Sequence, residues 1–246
     1  MRFSGVLRVA VTGSTNDDIA RLLGKPEALG LTIAADYQQR GSGRKGRAWI
    51  APPGSALLFT TALPEPIASA DLWIVPFWSA LVVSAALEAH GIAVTLQWPN
   101  DVLLGKRKIA GILCISRISG DTAWAGCGIG INVTRPADAA GAAALAEIEP
   151  PPAFCDDRAP VARDALLATI LERFDAMYDL LRTPQHVARR WEEAARIPGT
   201  PYTFVLDGET APFEAEPLRL ATGGALIVRH DGAQREIALA DARVMR

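Results

Sequence analysis

Residues Ala93 to Val133 read AVTLQWPNDVLLGKRKIAGILCISRISGDTAWAGCGIGINV. Apolar and β-branched side chains fill this stretch, and it breaks at Pro99-Asn100-Asp101, Gly105-Lys106 and Gly120-Asp121, the residue types of hairpins and short connections. Strands joined that tightly pair antiparallel, so the stretch predicts a mostly antiparallel sheet. On its N-terminal side, Val6 to Thr12, Leu31 to Tyr37 and Ala56 to Leu63 read as further strands. Ser14-Thr15-Asn16-Asp17-Asp18 supplies N-cap chemistry for a helix through Leu23, and Pro76 opens a second helix to about His90.

On the C-terminal side, residues 135 to 160 combine an alanine-rich run with Pro150-Pro151-Pro152, which reads as a surface connection without chemistry. Leu166, Ile170, Phe174, Met177 and Leu181 then mark an amphipathic helix, and Arg189-Arg190-Trp191-Glu192-Glu193 sits on another. After Pro198-Gly199-Thr200-Pro201 the period changes to two, with short strands expected at 202 to 206, 218 to 221, 225 to 229 and 236 to 240. The expected organisation is a main α+β domain over 1–198, with helices flanking the sheet, and a small β-barrel-like domain over 199–246.

The 246 residues are half hydrophobic and 21% charged, which excludes a disordered chain. A formal charge of −2 gives no bulk electrostatic case for nucleic acid or anionic membrane as a partner. Cys114, Cys127 and Cys155 lack Cys-x-x-Cys or Cys/His spacing, so they read as buried thiols in a reducing compartment rather than a disulfide framework or a zinc site. The apolar run Val6 to Val11 is too short for a signal peptide. Leu72 to Leu87, interrupted by Pro76 and two serines, falls short of a membrane span and reads as a buried helix. The expected location is the cytoplasm.

Gly41-Ser42-Gly43-Arg44-Lys45-Gly46-Arg47-Ala48-Trp49 contains G-x-G-x-x-G, but Trp49-Ile50-Ala51 runs into Pro52-Pro53-Gly54 where a dinucleotide site needs a helix. A Walker loop fails as well, because Arg47-Ala48 stands in place of Lys-Ser/Thr. What remains is four cations, Arg40, Arg44, Lys45 and Arg47, among eight residues without a carboxylate. Such a loop is either a solvated surface turn or an anion-binding lid that is costly to order when empty. A second cluster favours the lid: Lys108 stands at the mouth of the apolar strand Ile109 to Ile115 and can deliver a point charge to a phosphate or carboxylate. Lys106 and Arg107 read as solvated.

Together with Ser14-Thr15-Asn16 and Gly128-Ile129-Gly130-Ile131-Asn132, these segments resemble the biotin protein ligases in order and spacing along nearly the whole chain. The family's G-R-G-R-x-G-R-x-W appears from Gly41 to Trp49, its K-W-P-N-D from Gln97, its R-K-x-x-G-I-L from Arg107 to Leu113, and its G-x-G-x-N from Gly128. The resemblance implies a class II synthetase-like catalytic domain followed by an SH3-like β-barrel. It implies a two-step reaction in which biotin and ATP, with Mg2+, give biotinyl-5′-AMP, whose acyl group passes to a lysine of the biotin carboxyl carrier protein or domain of a carboxylase such as acetyl-CoA carboxylase.

By position, the resemblance assigns catalysis to Lys108, Arg44 and Asp101. Biotin binding falls to Ser14, Thr15, Asn16, Gln38, Gly41, Ser42, Gly43, Arg44, Lys108 and Gly111, and ATP binding to Arg44, Arg47, Trp49, Asn100, Lys108 and Asn132; no protein ligand for a metal is assigned. Asp101 would orient or deprotonate the acceptor lysine, or else only form a turn after Asn100. Ser14 and Thr15 would bind the ureido head, cap a helix, or do both. No catalytic histidine is needed, since biotin's carboxylate is itself the nucleophile, and His90, His186 and His230 lie outside the motifs. Ser42, Gln97 and Ile115 depart from the family pattern, which many relatives fill with Arg, Lys and Glu. The rivals are a lipoate-protein ligase of the same fold and a non-catalytic biotin-binding module. A repressor is not expected, because the 13 residues before Ser14 cannot hold a DNA-binding domain. Monomer and homodimer both stay open.

Overall fold

The computed structural model describes residues 2–3, 5–146, 148–239 and 242–245. The main sheet holds β1 (Gly5–Thr12), β2 (Leu31–Gln38), β3 (Ala56–Ala62), β4 (Ile67–Ala68), β5 (Thr95–Gln97), β6 (Asp101–Leu104), β7 (Arg107–Ser119) and β8 (Thr122–Asn132). Its order is β1-β2-β3-β8-β7-β6-β5, with β4 on β8. The expected antiparallel run is there, and its longest element is the β7–β8 hairpin. Among the described residues the pair β1–β2 alone runs parallel, because the helix α1 (Thr15–Ala20) carries the chain back across the sheet between them. That helix stops at Ala20, short of the expected Leu23, and Gly24 turns the chain at φ +87°.

Alternation along β3 divides its side chains between two layers. Leu57 and Phe59 join the large core, whereas Ala62 joins a smaller cluster with Ile19 and Leu23 beneath α1. The large core is built around α2 (Val75–Ala89), with Phe77, Trp78, Val82 and Val83 buried, and packs it against α4 (Arg163–Met177) and α5 (Pro184–Ala195). The segment Ser69–Ala89 is long and apolar enough to cross a membrane. Here its buried side chains belong to the core, as the sequence led one to expect. Between β8 and α4 lies α3 (Ala139–Ala146).

A second, wholly antiparallel sheet follows: β9 (Tyr202–Leu206), β10 (Phe213–Leu220), β11 (Leu226–His230), β12 (Ala233–Ile237) and β13 (Ala242–Met245), in the order β12-β11-β10-β9-β13. β10 starts five residues before the expected Leu218, β12 ends at Ile237, and β13 went unread in the sequence; residue 240, expected at a strand end, lies outside the described residues. Phe204, Leu226 and Val228 belong to the same core as α2. Trp98, fully buried, packs on Phe204 and donates from its indole N–H to the Gly224 carbonyl at 3.0 Å. The tryptophan of the Trp-Pro-Asn-Asp segment thus ties the two sheets together. Cys127 and Cys155 are buried and Cys114 partly so, all as free thiols.

Trp98→Phe keeps an aromatic ring in the core but leaves the Gly224 carbonyl without its donor. Denaturant unfolding should show a loss of about 1 to 3 kcal/mol; unchanged stability would mean that packing alone holds the second sheet.

Candidate functional site

A cavity of about 260 Å³ opens on the α1 side of the main sheet. Its polar floor comes from the start of α1 and from the end of β2. Thr15 donates from its backbone N–H and its hydroxyl to Gln38 Oε1, at 2.7 and 3.0 Å, and Asn16 Nδ2 donates to the Leu113 carbonyl at 3.1 Å. Ser14 stands at the helix N-cap, yet its hydroxyl makes no capping bond. It borders the cavity instead, so the capping alternative does not describe it.

Two strands leave the space above this floor. Gly111 and Gly130 are register partners on β7 and β8. A Cβ on Gly130 would lie 2.7 Å from the Trp49 ring, and one on Gly111 would lie 2.9 Å from Lys108 Nζ. Only glycine lets Trp49 and Lys108 approach the sheet this closely. Gly128 does the same for Asn16, whose Oδ1 would be 2.1 Å from an added Cβ.

The cationic end is formed by the loop between β2 and β3 together with Lys108. The loop closes on itself through Gly43 N–H to Arg47 O at 2.6 Å and Trp49 N–H to Gly41 O at 2.8 Å. Lys45 takes φ +57°, in the left-handed region that favours glycine. The sequence offered this loop no carboxylate, but the residue just after β9 does: Lys45 pairs with Asp207 at 2.5 Å, and the Arg44 guanidinium donates to the carbonyl of Leu239, which follows β12. The loop is therefore tied down at Arg44 and Lys45, while Gly46, Arg47 and Ala48 stay exposed. Burial and then Arg47 lower the Arg44 pKa, while Asp207 opposes them. Arg44, Arg47, Ser42, Gly43 and Trp49 line the cavity; Gly41 supports the loop from outside the wall.

Lys108 is the central charge. Its Nζ lies 2.5 Å from Asp101 Oδ1 and 5.3 Å from the centre of the Trp49 ring. Burial, then Arg47 and Arg44, pull its pKa down to about 7. Asp101 is buried, 7% exposed, and sits behind Lys108 rather than on the cavity wall. It opens β6 directly after the turn at 98–100. Asn100 Nδ2 holds the Ile112 carbonyl at 2.7 Å, and Asn132 Nδ2 holds the Ala153 carbonyl at 3.1 Å; both residues also border the cavity.

Three features escaped the sequence. Ile148, Glu149, Pro150 and Pro152 form a wall of the cavity, although 135 to 160 was expected to carry no chemistry. Ala153 N–H to Lys108 O at 2.9 Å ties that segment to β7, and the three-proline run was the only local sign of a rigid wall. Arg107, expected in solvent, pairs with Asp157 at 2.9 Å and donates to the Pro152 carbonyl at 3.3 Å. Thr60 lies fully buried under Thr15 and Asn16. The departures Gln97 and Ile115 are outside the wall: Gln97 is on β5, and Ile115 packs with the cluster under α1.

The lowered Lys108 pKa has a sign that can be tested. Burial and then Arg47 and Arg44 disfavour the charge on the free side chain, Asp101 opposes them, and a bound anion raises the pKa again. Binding inorganic sulfate, which carries no titrating proton at pH 8, should therefore be accompanied by net proton uptake, read as calorimetric heats that differ between buffers of different ionisation enthalpy, and Lys108→Met should reduce the difference. Buffer-independent heats for the unmodified protein would contradict the shift.

The chain is 36% identical over 128 residues to the Bifunctional ligase/repressor BirA of Escherichia coli, covering 50% of this chain and 39% of that protein. It is 35% identical over 144 residues to the Biotin--[acetyl-CoA-carboxylase] ligase of Paracoccus denitrificans, covering 53% of this chain and 55% of that one. The match thus spans less than two thirds of either relative. In fold it is similar to the biotin protein ligase of Aquifex aeolicus, solved in complex with biotin and ATP, with a TM-score of 0.77 and 23% identity over 99% of this chain and 100% of that one. The sequence model of the Biotin/lipoate A/B protein ligase family matches residues 9–132, from β1 to the last residue of β8. That stretch is half of the chain and carries all four motifs, and the chain belongs to the biotin/lipoate A/B protein ligase family.

Proposed function

We propose that this chain joins biotin to a lysine of a biotin carboxyl carrier domain, with acetyl-CoA carboxylase as the source of that carrier, in two steps through biotinyl-5′-AMP. The observation that carries this reading is one cavity with two chemically different ends. Ser14, Thr15, Asn16 and Gln38 give a neutral hydrogen-bonding floor, and Lys108, Arg44 and Arg47 give a cationic rim. Biotin matches both ends, with a ureido head and a carboxylate. A dithiolane has no N–H or carbonyl to offer, so lipoate would leave the floor's polar groups unpaired, at roughly 1 to 3 kcal/mol for each buried one.

In the first step a carboxylate oxygen of biotin attacks the α-phosphorus of ATP, a new P–O bond forms, and the bond to pyrophosphate breaks. The chain needs no side-chain nucleophile for this. It must hold two anions in line and neutralise the charge that builds between them, which Lys108, Arg44 and Arg47 are placed to do. Trp49 covers the sheet at the junction, and the Oδ1 atoms of Asn100 and Asn132 are left to receive the nucleotide's amino group. In the second step the neutral amine of the carrier lysine attacks the acyl carbonyl, AMP leaves, and the amine loses its proton. Magnesium would arrive on the phosphates of ATP and offset their charge; Glu149 is the one carboxylate among the described residues of the wall, and Asp101 is committed to Lys108.

Asp101 acts here through Lys108, holding its Nζ at the junction. Residues 199–246 form a small C-terminal domain that braces the cationic loop through Asp207 and the Leu239 carbonyl. In this reading the reaction runs in the cytoplasm, a reducing compartment that suits the free thiols of Cys114, Cys127 and Cys155.

Incubating the protein with ATP, magnesium, biotin and a purified carrier domain should add one biotin to the carrier by mass spectrometry. No addition, or addition of lipoate in its place, would overturn the reading. Lys108→Ala should slow single-turnover adenylation about 30- to 1000-fold, the size of a lost charge contact worth roughly 2 to 4 kcal/mol in a transition state. Asp101→Asn should slow adenylation and transfer by comparable factors; a loss confined to transfer would return Asp101 to the acceptor amine.

A further inference from the structure

The polar floor rests on a residue that never reaches the cavity. Thr60, in the middle of β3, is 0% exposed and lies outside the residues that wall the space. Its Oγ1 is 2.8 Å from Thr15 Oγ1 and 2.8 Å from Asn16 Oδ1. Its register partner on β8 is Gly128, the position whose missing side chain makes room for Asn16. A threonine and a glycine side by side in the sheet therefore hold two successive residues of α1 from below.

The count of protons limits how these contacts can be filled. Three oxygen pairs are in contact: Thr60 with Thr15, Thr60 with Asn16 Oδ1, and Thr15 with Gln38 Oε1 at 3.0 Å. Only the two hydroxyls carry protons to fill them, since a side-chain amide oxygen is an acceptor only. One of the three pairs is thus always short of a donor. When Thr60 donates to Thr15, and Thr15 to Gln38, the Asn16 carbonyl is the oxygen left to receive an N–H from a ligand. Meanwhile Gln38 Oε1, already taking two donors from Thr15, leaves Gln38 its amide N–H groups to offer an acceptor. The floor then presents one acceptor and one donor, the pattern that a cyclic urea complements.

We propose that Thr60 is a positioning residue for ligand recognition, setting the orientation and the donor–acceptor state of Thr15 and Asn16 toward a urea-bearing head. This rests on the ligase reading above and extends it to a residue that touches no substrate. Thr60→Val is nearly isosteric and removes only the hydroxyl, whereas Thr60→Ser keeps the hydroxyl and loses a methyl group.

Calorimetric titration of each protein with biotin, and separately with ATP, tests it. Biotin affinity should fall about tenfold or more in Thr60→Val and stay within about threefold of wild type in Thr60→Ser, the size expected for one buried hydrogen bond. ATP affinity should be unchanged in both. Equal biotin affinity in Thr60→Val and wild type would overturn the inference, as would an equal loss in Thr60→Ser, or a matching loss of ATP binding. If Thr60→Val does not fold, Thr60→Cys, with a weaker donor of similar size, should show a partial loss of biotin affinity, and none would overturn the inference. Wild-type protein that binds no biotin would overturn the ligase reading itself.

Discussion

On the adjoining strands β7 and β8, Gly111 faces Gly130 and Gly128 follows two residues away, so the sheet is bare of side chains where the cavity opens. Sheets tolerate glycine poorly, because it weakens the strand and packs nothing. Here each bare position is occupied from above: Trp49 rests against Gly130, Lys108 and Trp49 against Gly111, and Asn16 against Gly128. The loop, the lysine and the helix start come from separate parts of the chain, and they share one floor because the hairpin lets all three down to the backbone. A methyl group at any of the three positions would push one of these groups away.

The second constraint is electrostatic. Burying Lys108 is unfavourable in itself, gathering Arg47 and Arg44 beside it adds to the cost, and the lowered Lys108 pKa expresses both. The fold meets it with contacts at the back of the site. Asp101 lies behind Lys108, and the connections that follow β9 and β12 supply Asp207 and the Leu239 carbonyl behind the loop. The side facing the cavity keeps its positive character, so an anion entering there relieves a strain that the protein has already built in. This also explains the buried Trp98: by fastening the second sheet through Gly224 it keeps the brace for the loop in place.

Much of this could be read from the sequence because it is local. The tight breaks at Gly105-Lys106 and Gly120-Asp121 announce hairpins, and the alternation from Ile109 onward announces a strand. The likeness to a known family pointed to the residues of the wall, from Ser14 and Gln38 to Lys108 and Asn132. What escaped depends on partners far along the chain. Lys45 meets Asp207 across 162 positions and Arg44 meets Leu239 across 195; no window of local sequence contains both members. Arg107 was read as solvated for the same reason, since Asp157 lies 50 residues on. Thr60 was invisible because a threonine in an apolar strand is ordinary, and only the approach of α1 from the other face gives its hydroxyl work.

The central claim is that this cavity binds biotin and ATP together and joins them before any acceptor arrives. The most direct measurement is exchange of labelled pyrophosphate into ATP with no carrier protein present. The account predicts exchange that requires biotin, is not supported by lipoate, and is lost when Gly130→Ala displaces Trp49 from the sheet. Exchange that proceeds without biotin, or none at all from folded protein supplied with biotin and ATP, would contradict it.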